Sequence, residues 1–153
     1  MDRSHYRFHS RWRLDAPPER VFAVLAEPGR YPEWWPQVRR IAALDERSGT
    51  AVFRSLLPYR LRVTLSQEVL DPAAGILRAG LAGDLEGWAR WTVGPDPHGG
   101  TLARYDQEVR VHKQLMRLLA VPGRPLFLLN HALMMRGGRR GLVAHLAAGR
   151  DAV

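Results

Sequence analysis

The stretch Leu14-Asp15-Ala16-Pro17-Pro18-Glu19-Arg20-Val21-Phe22-Ala23-Val24-Leu25, with Tyr31-Pro32-Glu33-Trp34-Trp35-Pro36 close behind it, constrains the fold more than any other part of this chain. Proline suits the first turn of a helix, where its missing N–H would have no partner anyway, and Glu19 sets a carboxylate at the positive end of the helix dipole. Val21, Phe22 and Leu25 then share one helical face. Upstream, Tyr6, Phe8, Trp12 and Leu14 alternate with His5, Arg7, His9, Arg11 and Arg13, the pattern of a half-buried strand. Downstream, Pro28-Gly29 is expected to end the helix. The aromatic run has room for only a very short second helix before Pro36 forces the chain into extended structure.

Six further segments have strand length: Val38 to Leu44, Thr50 to Leu57, Arg60 to Leu70, Ile76 to Leu81, Leu85 to Val93 and Leu102 to Val111. Ser48-Gly49, Pro58, Asp71-Pro72, Gly83-Asp84 and the loop from Gly94 to Gly100 separate them. Connections this short imply antiparallel neighbours, hence a curved seven-stranded sheet in an α+β domain. Alternation then stops. Pro122 and Pro125 interrupt any helix after Leu115 to Ala120, and a long helix is expected from about Leu126 to Ala148. Leu126, Leu129, Leu133, Leu142 and Leu146 are read as its apolar face.

Four parts of the sequence carry a likeness. Ala16-Pro17 through Leu25, the Tyr31 to Pro36 turn, Gly83-Asp84-Leu85-Glu86-Gly87-Trp88-Ala89-Arg90-Trp91, and Asn130-His131 opening the last helix together resemble the START-related superfamily called SRPBCC, and within it the polyketide cyclase/dehydrase-like proteins. The resemblance covers nearly the whole chain. It implies a helix-grip fold, with the sheet wrapped around the C-terminal helix and a cavity between them. Members include lipid carriers, hormone receptors and ring-forming cyclases, so the fold alone does not settle function. Cyclases of the superfamily tend to hold their substrate with arginine, tyrosine and tryptophan, which would bring in Arg90 if it faced inward.

With 153 residues the chain suits one domain spanning 1–153. Cysteine is absent, which removes disulfides, thiolate metal sites and cysteine nucleophiles together. No apolar run has the length of a bilayer span, and the first residues lack the apolar core of a secretory signal, so a cytoplasmic protein is the expectation. The net charge of +8 invites a polyanion reading. Of 23 cations only Lys113 is lysine, however, and the arginines are scattered, as a GC-rich genome alone would leave them. That weighs against nucleic acid. Arg136, Arg139 and Arg140 form the one local cluster, and with tryptophans such as Trp34 or Trp35 they could make a transient contact with an anionic membrane.

A curved sheet around one helix leaves a gap unless large side chains fill it. Gly137, Gly138 and Gly141 fall where filling would be needed, and each costs a helix interior about 1 kcal/mol relative to alanine. Either they mark a kink or close packing, or they leave room for a ligand. A dry cavity of roughly 300 Å³ would cost about 7 kcal/mol, so a large pocket calls for contents.

Strand alternation supplies the remaining candidates. Leu61, Val63, Leu65, Gln67 and Val69 form one set, and Tyr105, Gln107, Val109 and Val111 another, opposite the charged Arg104, Asp106, Glu108 and Arg110. Tyr105 and Gln107 would be polar among apolar neighbours, bonded within the protein or to a ligand. Gly87 and Ala89 free volume on the face that carries Trp91, while Trp88 and Arg90 lie opposite and could stack. His131 is the best acid–base candidate, because histidine alone has an unperturbed pKa near neutrality. Met134 and Met135 could form an adaptable wall or simply core.

These residues point to binding of a hydrophobic small molecule such as a lipid, polyketide, quinone or isoprenoid. Leu65, Gln67, Trp91, Met134, Gly137 and Gly141 are the candidate contacts, with Tyr59, Tyr105, Gln107 or Asn130 orienting the polar end. The alternative is a cyclase or dehydratase using His131, Tyr105 or Arg90. No metal-ligand spacing, phosphate loop or dinucleotide motif supports a cofactor, and none is expected.

Overall fold

The computed structural model describes residues 5–53, 61–112 and 123–151. Its elements are β1 (His5–Leu14), α1 (Pro18–Leu25), a short 3-10 helix (Pro28–Glu33), β2 (Val38–Ala43), β3 (Ser48–Phe53), β4 (Leu61–Asp71), β5 (Ile76–Gly83), β6 (Leu85–Pro95), β7 (Thr101–Val111) and the long helix α2 (Gly123–Asp151). The seven strands form one antiparallel sheet in the order β1-β7-β6-β5-β4-β3-β2, a meander from β2 to β7 with β1 added beside β7. This is the helix-grip arrangement.

Two helix boundaries differ from the sequence reading. Pro28 and Gly29 open the 3-10 helix rather than close α1, which ends at Leu25 with Ala26 as its cap. Pro125 lies within the first turn of α2, where no intrahelical N–H partner is lost, so the helix begins before it. The helix also runs through Gly137 and Gly138, which excludes a break there. The expected Leu115 to Ala120 segment lies outside the described residues.

Cross-strand register fixes a single inward face. Trp91 stands opposite Tyr105, Ala89 opposite Gln107 and also opposite Ala79, and Leu65 opposite Leu81. On β4 an irregularity between Gln67 and Val69 breaks the alternation. Val69 therefore pairs with Arg78 and is exposed, not part of the inward set with Leu61, Val63, Leu65 and Gln67. At the start of β6, Gly87 has φ +153° and its missing Cβ would meet the Glu108 carbonyl oxygen at 1.9 Å, so only glycine lets the two strands approach this closely.

The core falls into two clusters. One joins Trp12, Leu14, Val21, Leu25, Trp34, Trp35, Trp91, Leu142 and Leu146. The other joins Tyr6, Phe8, Leu61, Val63, Leu85, Val109, Val111 and Phe127. Trp34 and Trp35 are 5% and 4% exposed, so they are core residues and offer nothing to a membrane surface. On α2, Leu142 and Leu146 are buried whereas Leu129 and Leu133 are exposed. The step from Leu133 to Leu142 turns the helix about 900°, half a turn off register, so the two pairs of leucines do not share a face.

Candidate functional site

Between the two clusters lies a cavity of about 420 Å³, partly open to solvent. Its sheet wall is apolar, from Val63, Leu65, Leu77, Leu81, Ala89 and Trp91. Phe127, Asn130, His131 and Met134 of α2 form the roof. At the rim stand Ala26, Pro28 and Gly29, with the β2–β3 turn and the start of β3 from Asp45 to Gly49. That turn is held by Asp45, whose carboxylate accepts the backbone N–H groups of Arg47 and Ser48, each at 2.8 Å. The first of these bonds holds the carboxyl below its usual range.

One polar relay crosses the apolar wall. Tyr105 donates its hydroxyl proton to Gln107 Oε1 at 2.5 Å, and the same oxygen lies 3.2 Å from His131 Nε2. A carbonyl oxygen only accepts, so Nε2 carries the proton and His131 is the Nε2–H tautomer. The ring is stacked on Phe8, with centroids 3.6 Å apart and planes 10° from parallel. Burial against such neighbours removes water from the charged form and lowers the His131 pKa to about 4. Burial likewise pushes the Tyr105 and Tyr31 hydroxyls up, so both stay protonated donors. Tyr31 gives its proton to the Leu25 carbonyl at 2.5 Å. At neutral pH the relay is uncharged throughout.

The cavity thus brings together Leu65, Gln67, Trp91, Tyr105, Gln107, Asn130, His131 and Met134. Gln107 and Asn130 are buried polar residues, and Asn130 has a partner within the protein. Tyr59 lies outside the described residues. Gly137 and Gly141 are elsewhere: a Cβ on Gly137 would meet Gln37 Oε1 at 2.3 Å, and one on Gly141 the Trp34 carbonyl oxygen at 1.6 Å. They bring the helix close to the chain that follows the 3-10 helix and leave no space for a ligand. Arg90 points to the outer face, where it pairs with Asp106 at 3.3 Å and lies over the Trp88 ring at 5.4 Å. His9 also bonds Asp106, at 2.5 Å, and this contact is the main reason that carboxyl is held low.

Several lining residues had no sequence signal. Tyr31, Trp35, Ile41, Phe53 and Phe127 reach the cavity from elements whose facing depends on how the sheet curls. Trp35 is fixed there by donating its indole N–H to the Met134 carbonyl at 2.9 Å.

Residues 6–148 match the family described as polyketide cyclase / dehydrase and lipid transport, and the chain belongs to that family. No curated protein matches the sequence. Among solved structures, the Zhui aromatase/cyclase from Streptomyces sp. R1128 is similar at a TM-score of 0.74 with 13% identity, over 92% of this chain and 93% of that one. A protein from Thermus thermophilus has a TM-score of 0.69 and 18% identity, over 92% of this chain and 98% of its own. A point mutant of norcoclaurine synthase from Thalictrum flavum, solved with a transition-state analogue, has a TM-score of 0.64 and 12% identity, over 94% and 96%. At such identities these likenesses establish the fold.

Proposed function

We propose that the protein binds a hydrophobic small molecule between sheet and helix, and that the uncharged Tyr105–Gln107–His131 relay orients the ligand's polar end. The observation that carries this reading is the position of the relay, which links sheet to roof through side-chain hydrogen bonds across the apolar wall of the cavity. A volume of about 420 Å³ lies within the range of small-molecule sites. Affinity comes from apolar surface leaving water, at about 25 cal/mol per Å². The relay spends the Gln107 carbonyl and one ring nitrogen of His131, so the Gln107 amide –NH₂ and His131 Nδ1 carry its remaining hydrogen-bonding capacity. Those groups suit a carbonyl or hydroxyl on a lipid, polyketide, quinone or isoprenoid. Leu65, Gln67, Trp91, Asn130 and Met134 complete the contact set.

An enzymatic reading, cyclase or dehydratase, draws on the same relay. With a pKa of about 4, His131 is a weak base and is hardly ever an acid at neutral pH. Polarising a substrate carbonyl by a hydrogen bond from the Gln107 amide –NH₂ is the chemistry the relay would supply. Arg90, on the outer face, takes no part.

Native mass spectrometry of the protein purified gently from its host, followed by extraction of the bound species, tests the proposal. A stoichiometric apolar molecule with a neutral oxygen function is expected. A consistently empty protein, showing no thermal shift with a lipid and polyketide panel, would refute stable binding.

A further inference from the structure

The face of α2 turned away from the cavity combines two kinds of side chain that a solvated helix surface ordinarily keeps apart or balances. Leu128, Leu129, Leu133 and Val143 are 42%, 51%, 38% and 43% exposed. Arg136, Arg139 and Arg140 are exposed beside them. At 100° per residue these seven positions fall within one arc of roughly 140°, so they form a continuous stripe of aliphatic residues and arginine. Between residues 123 and 150 the sequence has no aspartate or glutamate. None of the three arginines forms an ion pair with a described residue. Some arginines of the sheet differ: Arg7, Arg78 and Arg90 each lie beside a carboxylate.

A second copy of the chain fits this stripe poorly, because a two-fold contact would set the arginine cluster against itself. A nucleic acid would answer the charges and leave the leucines in water. A bilayer with anionic headgroups answers both, since phosphates take the guanidinium groups while aliphatic side chains enter the interface. We propose that the outer face of α2 docks on an anionic phospholipid membrane. Phe127, Asn130, His131 and Met134 on the opposite face roof the cavity, so one helix would meet the membrane on one side and the cavity's contents on the other. The stripe stands independently of whether the cavity binds a ligand.

The test is co-sedimentation of the full chain with vesicles of phosphatidylcholine alone, or of phosphatidylcholine with a phosphatidylglycerol fraction, at low and high salt. Sedimentation with the anionic vesicles only, weakened by salt, is expected. Arg136→Gln/Arg139→Gln/Arg140→Gln should lower the partition coefficient on the order of 100-fold, and Leu129→Ser/Leu133→Ser on the order of tenfold. Both variants change exposed positions and should melt like the parent, which separates lost docking from lost folding. Equal binding to both vesicle types, no sedimentation, or an unchanged triple variant would overturn the proposal. So would an unchanged leucine variant, which would reduce the stripe to general polyanion attraction, or concentration-dependent self-association through this face.

Discussion

The two halves of α2 meet the rest of the protein in opposite ways. Over the C-terminal half, side chains are removed so that the helix backbone can come close: Gly138 lies against the Trp35 ring and Gly141 against the Trp34 carbonyl, with Leu142 and Leu146 buried nearby. Arg20 reinforces this end by donating to the Leu146 carbonyl at 2.6 Å, a cation near the negative end of the helix dipole. Over the N-terminal half the residues facing the sheet are larger and include polar groups, and about 420 Å³ remains beneath Phe127, Asn130, His131 and Met134. A helix pinned tightly at one end can stand away from the sheet at the other. The difference shows why glycines, which look like room for a ligand, sit where there is no room at all.

Breaking the closed half should have the largest effect. Gly141→Ala would gain about 1 kcal/mol in an ordinary helix interior, but here the added methyl would collide with the Trp34 carbonyl. We expect a loss of about 3 kcal/mol by urea denaturation, since backbone on both sides must move. A stabilised variant would show that the helix does not press on this segment.

The open half should reveal itself through pH. His131 titrates near 6.5 in the unfolded chain and near 4 when folded, so below about 6.5 the unfolded state binds the extra proton. Stability is complete above that pH and falls as acidity approaches pH 4, by about 2 kcal/mol allowing for the partial exposure of the ring. Asp106 and Glu108, whose pKa values are lowered chiefly by hydrogen bonds from His9 and His5, add their losses further into the acid range. His131→Phe keeps an aromatic ring against Phe8 and should flatten the profile between pH 6.5 and 4. An unchanged profile would place its origin elsewhere.

Smaller still is the effect expected of Tyr105→Phe. Gln107 Oε1 keeps His131 as a donor when the Tyr105 hydroxyl is gone, so the cost should be about 1 kcal/mol in thermal or urea unfolding. A loss of several kcal/mol would mean that the relay is a structural keystone of the core.

Much of this is legible in the sequence, and the reasons it is or is not are physical. Period-two alternation on β1 and β7 places Tyr6, Phe8, Trp12, Tyr105 and Gln107 inward, because each strand buries one face and a register slip would invert every residue. Alternation on β6 does the same for Ala89 and Trp91, and puts Arg90 outside. It fails at Val69, where an irregularity in strand pairing leaves no mark in composition. The helix is harder to read. Leucines at loosely helical spacing suggest one face, yet half-turn drift over the glycine segment separates the exposed Leu129 and Leu133 from the buried Leu142 and Leu146. Trp34 and Trp35 read from sequence as surface anchors, and what makes them core instead is packing on glycines about a hundred residues away. No local pattern records such a contact.

The most direct test of the account is a fluorescence titration with a neutral naphthylamine dye, comparing the parent with Ala89→Phe. Ala89 lines the cavity floor between Ala79 and Gln107, so a phenyl ring there would occupy ligand space without entering the packed half of the core. Saturable one-to-one binding by the parent, weakened at least about tenfold in Ala89→Phe with its unfolding midpoint little changed, is the predicted result. Equal dye affinity in the two proteins would contradict the claim that this cavity is where the protein holds its ligand.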